Sequence, residues 1–116
     1  MYTERQRLRL GHIVENSDRV EGYVAGMSFE AFAADQMVID AVERCLLKIT
    51  EAAVRLGEGT MGEVAPDVPL HVLRGFGNAL RHDYDQIDLP TLWRTVKNDL
   101  PMLRSRCRRA LDSQRS

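Results

Sequence analysis

The sequence has few cysteines, few aromatic residues and no long apolar run. Its two cysteines, Cys45 and Cys107, lie far apart among apolar neighbours in a chain of 116 residues, which indicates buried thiols rather than a disulfide or a metal site. No apolar run approaches the roughly 18 residues of a membrane-spanning helix. Residues 1–7 lead into a charged segment and lack the apolar stretch of a secretory signal. We therefore expect a cytoplasmic protein that does not contact a membrane.

The sequence also lacks an excess of charge of one sign. Its 16 Lys and Arg residues oppose 17 Asp and Glu residues, for a net charge of -1, which excludes the strongly basic balance of most duplex binders but not a local basic patch. His12 and His71 have no partner histidine or cysteine at ligand spacing, so we expect neither a metal nor a cofactor. A hydrophobic content of 44% suffices for one core. We predict a single domain over residues 1–112 and a frayed end at 113–116.

Apolar residues recur every three or four positions along almost the whole chain, which predicts an all-α fold. The expected architecture is an antiparallel up-and-down bundle of about four to five helices. Several apolar faces look wide enough for a second subunit, so we expect a homodimer. The predicted core positions form three seams, which are Leu10, Ile13, Ser17, Val20 and Val24; Ile39, Val42, Leu46, Ile49, Ala53 and Leu56; and Leu89, Leu92, Val96, Leu100, Leu103, Cys107 and Leu111.

Capping residues and helix breakers divide the chain. We predict long helices over residues 3–25, 35–56 and 69–84 and from residue 88 onward, with a loop over residues 58–67. Pro101 should kink or split the last helix near residues 98–99. The predicted caps are Thr3, Ser28, Asp35 and Asp88, and the predicted stops are Gly26, Gly57 and Gly59.

The third predicted helix carries polar groups along one face. Arg74, Asn78 and His82 follow one another at spacings of four, with Arg81 three residues after Asn78 and Asp85 three after His82. An imidazole, with a pKa of about 6.5, can transfer a proton at neutral pH, and arginines can bind a phosphate. These groups suit RNA cleavage without a metal, in which the ribose 2′-hydroxyl is deprotonated to attack the adjacent phosphate. The alternative interpretation is a solvated polar face.

Three further features have two interpretations each. Gly75 and Gly77 permit a close approach to another backbone, either at a dimer axis or in ordinary helix packing. Glu51 is either a buried acid that orients Arg74 or His82, or a carboxylate at the rim of the apolar face. The C-terminal arginines suit the helix dipole and could also hold nucleic acid or an acidic partner; they are Arg104, Arg106, Arg108 and Arg109.

The third helix and its surroundings resemble the HepT-like family of HEPN proteins. The central match is the run Arg-Gly-Phe-Gly-Asn-Ala-Leu-Arg-His-Asp-Tyr at 74–84. Around it, the matching segments are Phe-Ala-Ala-Asp at 32–35, Ala-Val-Glu-Arg at 41–44, Ile-Thr-Glu-Ala at 49–52, the turn at 66–69, Asp-Gln-Ile-Asp at 85–88, Leu-Trp at 92–93 and Asp-Leu-Pro at 99–101. The resemblance covers essentially the whole chain, in order.

The resemblance implies a dimeric all-α ribonuclease toxin that is encoded beside a small MNT-type nucleotidyltransferase antitoxin. In this family the antitoxin transfers AMP units onto the tyrosine of an Arg-x4-His-x-Tyr motif and so silences the nuclease. His82 and Tyr84 match the last two elements of that motif, and Asn78 matches a polar residue that commonly follows its arginine. The arginine position itself is Gly77. Without the resemblance, Tyr84 would be a packing residue at the helix end.

Residues and resemblance together predict a metal-independent endoribonuclease toxin with RNA as its substrate. The expected roles are general acid/base for His82, phosphate binding for Arg74 and Arg81, orientation of ribose or phosphate for Asn78, adenylylation for Tyr84, and support for Glu51 and Asp85. The alternative is a degenerate HEPN module that binds a nucleotidyltransferase partner, and nucleotide or RNA, without cutting. Gly77 is the residue that favours this alternative.

Overall fold

In a computed structural model, the chain forms a bundle of α-helices with one π-helical turn. The structure describes residues 2–68, 70–81 and 88–113. The elements are α1 (Glu4–Val24), α2 (Phe29–Ala33), α3 (Gln36–Val64), α4 (Leu70–Arg81), α5 (Leu89–Arg94), the π-helical turn Thr95–Asp99 and α6 (Leu100–Asp112). The prediction of an all-α fold is confirmed. Within the described ranges, no helix has the length and apolar character needed to cross a bilayer.

Helices α1 and α3 form the centre of the bundle. Helix α1 packs on α3 and α6, while α3 also contacts α4 and the short helix α2. The three predicted seams face the core: all of their residues are buried except Leu89 and Leu111, which are partly buried against it. Full burial of one such aliphatic side chain stabilises the fold by about 1.5–3 kcal/mol.

The four predicted capping residues all begin helices. At α1, the Thr3 hydroxyl accepts from the Gln6 backbone N–H at 3.0 Å, and the Gln6 side chain accepts from the Thr3 N–H at 2.8 Å, which completes a capping box. The side chains of Ser28, Asp35 and Asp88 likewise accept from backbone N–H groups three residues later. Each cap contributes about 0.5–2 kcal/mol.

Helix α3 bends at Gly57 and then continues. Gly57 has φ 89° and ψ 160°, a conformation that is essentially restricted to glycine, and helical structure resumes up to Val64. The predicted loop is therefore wrong over residues 58–64. Met61 and Val64 are 2% and 7% exposed, so burial of this apolar side of the segment outweighs the low helix propensity of its glycines.

The π-helical turn lies directly before Pro101, where a break was predicted. The Leu100 N–H donates to the carbonyl of Thr95, five residues earlier, and Pro101 enters the first turn of α6 without an N–H to donate. Upstream, the Trp93 ring packs against Phe32 with centroids 4.9 Å apart, and Lys97 Nζ lies 5.2 Å from the Trp93 ring centroid. A π-helical turn thus stands where a kink or split was predicted, and Trp93 of α5 packs against α2.

Candidate active site on helix α4

Helix α4 is fixed to the bundle through its apolar side. Leu73 is 1% exposed, and its carbonyl oxygen lies 3.2 Å from the Thr50 hydroxyl of α3. The same hydroxyl lies 2.9 Å from the carbonyl oxygen of Leu46. Because Thr50 is fully buried, this hydroxyl has no competing solvent and sets the register of α4 on α3.

The turn before α4 is anchored to α6 by a bidentate ion pair. Arg106 Nη2 donates to Asp67 Oδ2 at 2.6 Å, and Arg106 Nε donates to Asp67 Oδ1 at 3.3 Å. These hydrogen bonds favour the charged forms, so they lower the pKa of Asp67 and raise the pKa of Arg106. The start of α4 is thus tied to α6, and its middle is tied to α3.

Arg74 and Asn78 lie on the outward side of α4, one helical turn apart. Asn78 is exposed. Arg74 is half-exposed, and its Nη1 donates to Glu58 Oε1 at 2.7 Å. The two side chains of this ion pair are 40% and 74% exposed, and such pairs contribute only about 0–1 kcal/mol. A phosphate could therefore displace Glu58 from Arg74 at little energetic cost.

The structure places some of the predicted site residues and not others. It confirms that Arg74 and Asn78 share one accessible face, and Arg81 is the last residue of α4. The predicted residues His82, Tyr84 and Asp85 lie outside the described residues.

Glu51 is not the buried acid that one interpretation required. It is exposed and lines a groove between α1 and α3, so the alternative of a rim carboxylate is correct. The acid that contacts Arg74 is Glu58, which the sequence placed in a loop. The spacing of three between Met61 and Val64, both of them buried, is the helical signal that could have revealed its position.

The two glycines of α4 have different surroundings. Gly77 is buried, whereas Gly75 is exposed. Apart from its chain neighbours and the backbone of α4 itself, no described atom lies within 4 Å of the position that a Cβ would take at Gly75. Within the described part of one chain, nothing therefore makes the close approach that was expected at Gly75, and this part of α4 is open to a larger partner.

The basic C-terminal helix is largely neutralised by acids of the same chain. Arg104 pairs with Asp18 and Glu21 of α1, and Arg108 lies 3.5 Å from Asp18. With Arg106 on Asp67, three of the four arginines form ion pairs with acids of other segments of the chain. This use was not among the predicted interpretations, which considered only the helix dipole and an external partner.

Across the ranges that the structure describes, no group of three or more His, Cys, Asp or Glu residues is arranged to hold a metal ion. Cys45 and Cys107 are buried free thiols, as predicted. Burial raises the pKa of Cys107 to about 12, so this thiol stays protonated at neutral pH.

The chain matches the family model described as Ribonuclease HepT-like over residues 13–110. A Thermococcus cleftensis protein named "Probable ribonuclease HepT" is 30% identical over 97 residues, which cover 84% of this chain and 87% of that protein. The Methanocaldococcus jannaschii protein named "Putative RNase MJ1216" is 30% identical over 92 residues, which cover 79% of this chain and 75% of that protein. A second protein of this organism, "Putative RNase MJ1380", is 33% identical over 92 residues, which cover 79% of this chain and 84% of that protein. No solved structure matches the chain significantly. The extent of the family match and the helical bundle together establish that the chain belongs to the HepT-like ribonuclease family.

Proposed function

We propose that this protein is an endoribonuclease toxin that cleaves RNA without a metal ion, using the exposed face of α4. Family membership over residues 13–110 carries the proposal, and relatives named as ribonucleases support it. The accessible positions of Arg74 and Asn78, one turn apart on a helix fixed at Leu73, supply the phosphate-binding half of the chemistry.

The reaction requires two proton transfers and one stabilised anion. A base removes the proton of the ribose 2′-hydroxyl, whose oxygen attacks the adjacent phosphorus, and an acid protonates the departing 5′-oxygen. This breaks the strand into a 2′,3′-cyclic phosphate and a 5′-hydroxyl. We assign the proton transfer to His82, because an imidazole titrates near neutral pH. Arg74 and Arg81 offset charge on the phosphate, and Asn78 orients the ribose or phosphate by hydrogen bonding.

The working unit in this proposal is a homodimer in which two copies of α4 approach each other. The open surface at Gly75 supports this arrangement, since a residue without a side chain lets another helix come close. RNA then lies in a cleft to which both protomers contribute an Arg74 and a His82. In this proposal Arg81 binds the RNA backbone, and Asp85 has a supporting role.

Regulation is proposed to act on Tyr84. An MNT-type nucleotidyltransferase antitoxin adds AMP to its hydroxyl, which places a phosphodiester charge and an adenine beside Arg81 and His82. The added phosphate competes with RNA phosphate for the arginines, and the base blocks the cleft. Mass spectrometry of the protein co-expressed with such a partner tests this, because added AMP should map to the peptide that contains Tyr84 and be absent from Tyr84→Phe.

Cleavage of an end-labelled RNA by the purified protein, with a chelator present, tests the catalytic assignment. We expect the wild type to cut, and His82→Ala to lose about 100-fold or more in rate while its circular dichroism spectrum is unchanged. His71→Ala removes an exposed histidine of α4 and should cut normally. Full cleavage by His82→Ala, or dependence of the wild type on a divalent ion, contradicts the proposal.

A second candidate function rests on Gly77. This residue stands where the family motif has its arginine, which favours a degenerate module that binds a nucleotidyltransferase partner, and nucleotide or RNA, without cleavage. The same assay separates the two candidates. A well-folded wild type that retains RNA but leaves it uncut supports the binding module, whereas cleavage that requires both Arg74 and His82 supports the nuclease.

A further inference from the structure

A second polar groove lies between α1 and α3 and shares no residue with the α4 stripe. Its cavity volume is about 440 Å³, within the range of small-molecule sites. The charged lining consists of four cations and two carboxylates, namely Arg9, Arg19, Lys48, Arg55, Glu15 and Glu51. The groove therefore carries more positive than negative charge in a protein whose net charge is -1.

Most of this positive charge has no acidic partner in the described parts of the chain. Arg9, Lys48 and Arg55 form no ion pair with any described residue, whereas three of the four arginines of α6 are engaged with Asp18, Glu21 and Asp67. Arg19 contacts Glu15 at 3.6 Å through two largely exposed side chains. Unpaired guanidinium and ammonium groups along one groove are the usual means of holding a phosphate.

One of the residues that line this groove, Asn16, has a buried carboxamide. Asn16 is 6% exposed, and its Nδ2 donates to the His12 carbonyl oxygen at 2.8 Å. This bond fixes which end of the amide is the oxygen. Asn16 Oδ1 is buried and accepts no hydrogen bond from any described residue. Buried acceptors are rarely left unsatisfied, so a ligand in this groove would be recognised by an N–H or O–H group presented to Oδ1.

We infer that the groove between α1 and α3 binds a nucleotide unit, with its phosphate against Lys48 and Arg55 and an N–H or O–H donor of its base or ribose on Asn16 Oδ1. A ligand that combines a phosphate with a hydrogen-bond donor satisfies both observations. A free nucleotide and one residue of an RNA strand offer this same chemistry. The inference goes beyond the proposed function, because the groove contains none of the residues assigned to cleavage.

Isothermal titration calorimetry with AMP, ribose 5-phosphate and inorganic phosphate as separate probes tests the inference. We expect AMP to bind the wild type more tightly than either of the smaller probes. The double variant Lys48→Gln/Arg55→Gln should weaken AMP binding by about tenfold or more, since charge-assisted phosphate contacts are strong. The matched control Arg5→Gln/Arg94→Gln removes two exposed cations outside the groove and should bind AMP as the wild type does.

A second variant tests the role of the buried carboxamide. Asn16→Ala removes the unsatisfied oxygen without adding volume, so its preference for AMP over inorganic phosphate should be lost while its circular dichroism spectrum stays that of a folded helical protein. Equal AMP affinity in the wild type and Lys48→Gln/Arg55→Gln, or AMP binding no tighter than inorganic phosphate, overturns the inference. A short adenylate strand identifies the source: tighter binding than AMP assigns the groove to RNA, and equal or weaker binding assigns it to free nucleotide.

Discussion

Arg74 Nη1 of α4 and Glu58 Oε1 of α3 lie 2.7 Å apart, and Glu58 is the residue that follows the bend at Gly57. The bend thus determines where the carboxylate stands relative to α4. We assign Arg74 to the scissile phosphate. In the absence of RNA, its guanidinium group instead forms an ion pair with the Glu58 carboxylate. The pair connects a backbone feature of α3 to the proposed chemistry of α4.

Removal of the Glu58 charge should strengthen RNA binding. In a His82→Ala background, which prevents cleavage, we expect Glu58→Gln to bind RNA about two- to fivefold more tightly at low salt, and the gain to shrink as salt screens the charge. Stability should change by less than about 1 kcal/mol, because the pair is exposed. Glu63→Gln removes another exposed acid of the same helical segment and serves as the control. Weaker RNA binding by Glu58→Gln would show instead that the carboxylate positions Arg74 for the phosphate.

The bend at Gly57 should not tolerate a side chain. Gly57→Ala forces an L-residue into φ 89°, ψ 160° and should lower the free energy of unfolding by about 1–3 kcal/mol. Gly59→Ala, two residues later, has helical backbone and no atom within 4 Å of the new Cβ, so it should be neutral or stabilising by up to about 1 kcal/mol. Urea denaturation followed by circular dichroism measures both. Equal stability of the two alanine variants contradicts the bent geometry of α3.

The Asp67–Arg106 pair predicts a pH dependence of stability. Its hydrogen bonds lower the folded-state pKa of Asp67 below the ordinary value of 3.8. The stability that the Asp67 carboxylate contributes to the fold is therefore fully present above its unfolded-state pKa, and it is lost as the pH falls through the lowered folded-state pKa. We expect Asp67→Asn to be less stable than the wild type near neutral pH, and the difference in melting temperature to shrink in strong acid. A difference that stays constant as the pH is lowered contradicts this assignment.

The buried thiols should be inert in the folded protein. Cys45 and Cys107 are both buried, and the pKa of Cys107 is raised to about 12 by burial, so almost no thiolate forms at neutral pH. Ellman's reagent should react with neither thiol in native buffer and with both in concentrated urea. Rapid reaction of the native protein would contradict the packing of α3 and α6 against α1.

The sequence predicts most of the helical framework because its signals are local. Thr3, Asp35 and Asp88 cap helices where a short polar side chain precedes an apolar seam, and Pro101 interrupts a helix because it lacks an N–H. The segment after Gly57 could not be placed in the same way. Its glycines and acids favour a loop locally, and only burial of Met61 and Val64 against the rest of the bundle makes it helical.

The candidate site is less predictable because part of its geometry depends on tertiary packing rather than on local sequence. The helical spacing of Arg74 and Asn78 determines that they share a face, whereas the partner of Arg74 depends on tertiary packing. Glu51 and Glu58 are both acids of α3, and only Glu58, which follows the bend at Gly57, contacts Arg74. Similarly, the acids that neutralise Arg104 and Arg106 come from distant parts of the chain, so no local pattern identifies them.

Growth after induction of the wild-type chain, without a nucleotidyltransferase partner, tests the central claim most directly. Expression of each variant is followed by immunoblot, and folding is checked by circular dichroism on purified protein. We predict that the wild type and the controls His71→Ala and Arg5→Ala arrest growth, while His82→Ala and Arg74→Ala grow normally at the same expression level. Full toxicity of a folded His82→Ala variant, or normal growth with abundant wild-type protein, would contradict the account.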